Sequence, residues 1–83
     1  MKFEWDEEAQ TIWADTLSTE YYDPEHSANE DRFIRIGHSS ASNLLLVVFC
    51  EKENETSIRI ISARKATSKE RIDYEKGIRP EEA

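Results

Sequence analysis

Polar and apolar residues alternate along most of this chain with the two-residue period of half-buried strands. Lys2-Phe3-Glu4-Trp5 is the first such segment, a short strand with one buried face. Residues 7–14 change period: Ala9, Ile12 and Trp13 fall at i, i+3 and i+4, one stripe of a helix too short to stand without a sheet beneath it. Residues 17–22 suit a strand again, closed by Asp23-Pro24, and 25–31 form a polar loop. In residues 32–39, Phe33, Arg35 and Gly37 face one way and Ile34 and Ile36 the other. A turn cluster at 39–43 leads into Leu44-Leu45-Leu46-Val47-Val48-Phe49-Cys50, an unbroken apolar run that suits a central strand covered on both faces. After a polar connection, uniform alternation through residues 57–65 puts Ile58, Ile60, Ser62 and Arg64 on one face and Arg59, Ile61, Ala63 and Lys65 on the other. Three such strands joined by short turns make an antiparallel meander.

Thr67-Ser68-Lys69-Glu70 has the spacing of a capping box, Ile72 and Tyr74 offer the last helix its apolar contact, and Gly77 with Pro80 marks its end. Residues 78–83 are expected to fray. The expected class is α+β: a single domain over residues 1–83, with a small antiparallel sheet of about four strands, a short N-terminal helix and a C-terminal helix.

Charge adds a second pattern. The chain carries 18 acids and 11 bases, a net charge of −7. Residues 1–31 hold ten acids against Lys2 alone, net −9, whereas residues 32–83 are net +2. The overall acidity argues against unaided, tight, non-specific binding to nucleic acid. Its uneven division is compatible with an anion site in the C-terminal third and an acidic patch for a basic partner, or with two solvated faces. The lone Cys50 excludes an intramolecular disulfide and a cysteine-based zinc site, and the two glycines exclude a phosphate-cradling loop. Asp23, Glu25, Glu30 and Asp31 lack the spacing of a calcium loop, so no metal and no cofactor are expected. No apolar run reaches bilayer length and the first residues lack a signal-peptide pattern, so a cytoplasmic location without membrane contact is expected.

Four segments then become recognisable: Phe3-Glu4-Trp5-Asp6-Glu7, Tyr22-Asp23-Pro24-Glu25-His26-Ser27, Glu30-Asp31-Arg32-Phe33-Ile34-Arg35-Ile36-Gly37 and Ile58-Arg59-Ile60-Ile61-Ser62-Ala63-Arg64-Lys65-Ala66-Thr67. With Lys69-Glu70-Arg71 and Tyr74-Glu75 behind them, they resemble the BrnT family of bacterial toxins over nearly the whole chain. The resemblance implies a RelE-like ribonuclease fold, metal-independent RNA cleavage that arrests growth, and a BrnA-like antitoxin that dimerises and binds DNA, so that the toxin meets DNA only through its partner. There is one departure. Family members run from the Trp-Asp-Glu segment through a helix and a Lys-His-Gly turn before a second helix, and here Asp6-Glu7-Glu8-Ala9 joins the two ends directly. A lost first helix implies a sheet face without cover, which pairing with a second copy of the chain would restore. The family's Tyr-Thr-Glu-Arg is represented by Phe49-Cys50-Glu51-Lys52, which keeps the charges and loses the Tyr.

Metal-free RNA cleavage needs a base at the 2′-OH, cations at the phosphate and an acid at the leaving oxygen. Arg64 and Arg59 are the first phosphate candidates because a guanidinium stays charged and grips two oxygens. Five residues apart on a regular strand, they are expected on opposite faces; Arg64 is favoured, with Lys65 beside it and Lys52 and Lys69 as further RNA contacts. The alternative for Arg64 is a structural ion pair. His26 is the candidate general acid or base, Glu51 the alternative base, and His38 reads as an exposed strand-end imidazole. Cys50 is expected in the core, and Trp5, Trp13 and Phe33 are expected to pack rather than stack on bases. Two functions remain open on these residues: a ribonuclease toxin, or a toxin-like subunit that binds its partner and has lost catalysis.

Overall fold

In a computed structural model, residues 2–4, 7–26, 30–52 and 57–77 are described. The order is β1 (Lys2–Glu4), α1 (Glu7–Gln10) running into a 3-10 turn (Thr11–Ala14), β2 (Thr19–Tyr22), a 3-10 turn (Pro24–His26), β3 (Arg32–His38), β4 (Leu44–Lys52), β5 (Ser57–Lys65) and α2 (Ser68–Lys76). The sheet order is β1-β5-β4-β3-β2, with β2 to β5 antiparallel as the alternation requires. At the far edge β1 joins β5 in parallel, pairing Phe3 with Ile58. The predicted helix over 7–14 exists but tightens to 3-10 geometry at Thr11. The expected role of Trp5 and the fraying of 78–83 fall outside the described residues.

Ala9 and Ile12 are fully buried against Leu45, Val47, Phe49, Ile58 and Ile60, with Trp13, Phe33 and Ala63 completing the cluster. Trp13 meets Phe49 edge-on at 5.0 Å, Phe33 stacks on Phe49 at 5.7 Å, and the Arg35 guanidinium lies over the Trp13 ring. These aromatics pack, as expected. The implied loss of cover is not found on this face: every member of the seven-residue core is less than a tenth exposed.

Glycine is required at Gly37 for close approach. A Cβ there would sit 2.7 Å from Ser18 Cβ and 3.3 Å from Asp15 Oδ2, so only glycine lets the chain after α1 cross β3. Glu8 fastens the β3–β4 turn to α1, accepting from Ser39 Oγ at 2.7 Å and Asn43 Nδ2 at 2.8 Å. Those bonds, Asn43's first, hold its carboxyl below the usual value, helped by Lys65.

The second face of the sheet is only partly covered. The Thr67 capping box forms as the spacing predicts, and Gly77 ends α2 in the left-handed conformation. The helix carries almost no apolar stripe and leaves Ile72 half exposed, so polar contacts fasten it. Glu70 binds Arg64 on β5, and the Tyr74 hydroxyl donates to Asp15 Oδ2 at 2.6 Å. Leu44 and Ile36 are buried at this end of the sheet, while Ile34, Val48 and Ile61 further along are half-buried.

Candidate functional site

The strand β5 does not alternate uniformly. The register passes from Val48 opposite Ser62 to Phe49 opposite Ile60, so Ile61 is an extra residue, a β-bulge. Each bulged residue turns the rest of a strand over. Ile58 and Ile60 therefore enter the core beneath α1, while Arg59, opposite Cys50, and Arg64, opposite Leu46, emerge together on the second face. The expectation that the two arginines occupy opposite faces is thus corrected, as is the grouping of Arg64 with Ile58 and Ile60. Lys65, opposite Leu45, is carried to the α1 side, where its charge acts on Glu8.

On the second face the strands align in rows. Arg32, Cys50 and Arg59 stand abreast across β3, β4 and β5; Tyr21, Ile34, Val48 and Ser62 form the next row, and Thr19, Ile36, Leu46 and Arg64 the third. Four residues of β4 separate the outer rows, about 13 Å along the strand. Between them lies an open groove of about 320 Å³ with Asp23, Arg32, Ile34, Val48, Ile61, Ser62 and Arg64 on its walls and floor. An apolar floor between cationic ends is chemistry suited to a strand with flat bases and charged linkages.

Both arginines are held by carboxylates. Arg64 Nη1 and Nη2 donate to Glu70 Oε1 and Oε2 at 2.7 and 2.8 Å, a two-pronged pair, and Glu70 also accepts from the Thr67 backbone N–H. The Arg64 fork outweighs burial and brings the Glu70 carboxyl down to about 2. The structural ion pair considered for Arg64 is therefore present, with half of its side chain still exposed. Arg59 pairs with Glu30 and reaches toward Cys50 Sγ at 4.0 Å. Cys50 is a core residue, and burial, reinforced by Glu30, pushes its thiol pKa up, so the nucleophilic thiolate is disfavoured.

The remaining candidates do not converge on Arg64. Glu51 pairs with Ile58, which puts it on the α1 side of the sheet. Lys69 on α2 binds Asp73 at 2.9 Å. Lys52 takes the register position opposite Ser57, near the Arg59 end; its side chain and that of His26 lie outside the described residues. His38 does stand at a strand end, in edge contact with Tyr74 and 3.6 Å from Asp15. Burial raises the Asp15 carboxyl, but the backbone N–H of His38, the Tyr74 hydroxyl and the Leu17 N–H outweigh it and hold its pKa down. Burial and Asp15 push Tyr74 up to about 12. Arg32, Tyr21 and Asp23 of the groove escaped the sequence reading, although the alternation in β3 already set Arg32 on the face of Ile34.

The profile of a ribonuclease toxin family, BrnT, of type II toxin–antitoxin systems, matches residues 5–70. The chain belongs to the BrnT family. The match takes in the whole meander, both arginines and Glu70, the residue that closes the Arg64 fork. No curated protein sequence matches this BrnT chain. Membership places it among the ribonuclease toxins of type II systems, whose toxins are paired with antitoxins. Among the described residues no helix is long and apolar enough to cross a membrane.

Proposed function

We propose that this BrnT chain is a metal-independent endoribonuclease whose cleavage of RNA arrests growth, acting in the cytoplasm on a RelE-like fold until a BrnA-like, DNA-binding antitoxin neutralises it. The observation that carries the reading is the shared face of Arg59 and Arg64, which the bulge at Ile61 creates around the groove. Arg59 and Arg64, on rows about 13 Å apart along the strand, can hold separate phosphates of one RNA strand while Ile34, Val48 and Ile61 receive a base. At the scissile phosphate, Arg64 stabilises the charge that develops as the 2′-OH attacks. Proton transfer falls to His26, whose backbone follows Asp23 on the groove wall by three residues. Glu51, facing the α1 side, is the less direct base. Lys52 and Lys69 are outer contacts for the strand, and Lys65 contacts RNA only beyond the sheet end.

A second reading, a toxin-like subunit that keeps partner binding or self-association without catalysis, is favoured by one observation. Arg59 and Arg64 are engaged by Glu30 and Glu70, so phosphate must displace or share a carboxylate there. A defined RNA incubated with purified protein in EDTA separates the two. The parent is expected to cleave, folded Arg59→Ala and Arg64→Ala to lose most of the activity, and Glu70→Gln to retain or raise it. A folded parent that leaves the RNA intact supports the binding-subunit reading. Cleavage at the parental rate by folded Arg64→Ala overturns the site.

A further inference from the structure

Among the described residues, strand β2 is the last strand of the sheet, with β3 on one side and no strand on the other. The Asp23 backbone N–H donates to the Arg32 carbonyl at 2.9 Å, which sets the ladder bonds at the pairs 23–32, 21–34 and 19–36. The N–H and C=O of Glu20 and Tyr22 consequently point away from β3, and nothing pairs with them among the described residues. Within residues 19–22 the edge carries no lysine, no proline and no bulge; its guards are its short length and Glu20. Leu17 and Tyr22, two of the large apolar side chains exposed on the molecule, flank this edge. A recess of about 330 Å³ formed by Tyr21, Tyr22, Asp23, Pro24 and Glu25 lies at its far end.

The surrounding charge selects the occupant. Glu20, Asp23, Glu25, Glu30 and Asp31 are on or beside β2, and residues 3–31 contain no Lys or Arg. Pairing of β2 with β2 of a second copy would oppose these carboxylates to one another, a like-charge arrangement that destabilises strand pairs. A basic strand meets the opposite condition. Arg35 of β3 already holds the Glu20 carboxylate at 2.7 Å, so the acids left to face a newcomer are those at the end of the strand. We propose that the free edge of β2 receives an extended segment of a partner protein, carrying Lys or Arg toward Glu25 and covering Leu17 and Tyr22 with apolar side chains. Assigning that segment to the antitoxin rests on the toxin reading above. It would attach at the sheet edge, leaving its remaining chain to reach the arginine face.

Residue-resolved amide hydrogen exchange, with and without the antitoxin that accompanies the chain, tests this. The amides of Glu20 and Tyr22 are expected to gain protection, while those of Thr19 and Tyr21, already bonded to β3, change little. Glu20→Pro removes an outward N–H and spares the ladder, so a folded variant should bind the antitoxin about tenfold more weakly and cleave RNA as the parent does. Glu25→Lys should weaken binding chiefly at low salt. Unchanged exchange at Glu20 and Tyr22, or parental affinity in folded Glu20→Pro, overturns the proposal. A parent that cleaves no RNA yet gains protection at both amides overturns the nuclease reading and supports the docking edge.

Discussion

Replacing Glu70 by Gln tests the junction between the arginine face and α2. Glutamine keeps an oxygen for the Thr67 N–H, so the capping box survives, and the substitution isolates the charge that holds Arg64. Lowering the carboxyl from 4.5 to about 2 corresponds to at most about 3.5 kcal/mol at ~1.4 kcal/mol per pH unit. Because half of the Arg64 side chain is in water, screening reduces this to about 1.5 kcal/mol, or roughly 6–12 °C in Tm for a domain of this size. The folded-state pKa is depressed, so the contribution is complete above about pH 4.5 and disappears as pH falls through about 2. Thermal unfolding of parent and Glu70→Gln, followed by circular dichroism between pH 7 and pH 2, should show a gap that is full at neutral pH and closes across that window. Glu8 and Asp15 titrate in both proteins and drop out of the difference. A gap independent of pH, or none at pH 7, would refute the assigned pairing.

Three further outcomes follow from local geometry. Gly37→Ala forces a methyl against Ser18 and Asp15 and should destabilise by about 1–3 kcal/mol in chemical denaturation, with loss of the Asp15–Tyr74 contact visible at the tyrosine hydroxyl. Ser42, in the β3–β4 turn, has a positive φ of 64°, so Ser42→Gly should stabilise by about 1 kcal/mol in the same assay. Cys50 should resist thiol reagents at pH 7 in the folded protein and react once denaturant exposes it.

Much of the architecture can be read from the periods alone. The stripe of Ala9, Ile12 and Trp13, the unbroken run 44–50 and the Thr67 capping box each have a local cause, and each takes its expected place. The bulge at Ile61 was not legible, because Ile60-Ile61 is equally apolar on either side of the insertion and period-two reading passes over it. That single residue decides which side chains share a face with Arg64. The carboxylates were hidden for a different reason: Glu30 and Arg59 are 29 positions apart, and Asp15 and Tyr74 are 59 apart, so only the folded sheet brings them together. The parallel addition of β1 to β5 is similarly a long-range pairing that three residues of alternation cannot specify.

The central claim is that RNA lies on the face shared by Arg59 and Arg64. It is tested most directly by NMR titration with a short RNA whose 2′ positions are O-methylated, which removes the nucleophile and keeps the phosphates. The account predicts shifts concentrated at the backbone amides of Arg32, Arg59, Ile61, Ser62 and Arg64 and at the two arginine side chains, with little change at Trp13, Ala63 and Glu8 on the α1 side. Shifts centred on the α1 side, with the arginine face silent, would contradict it.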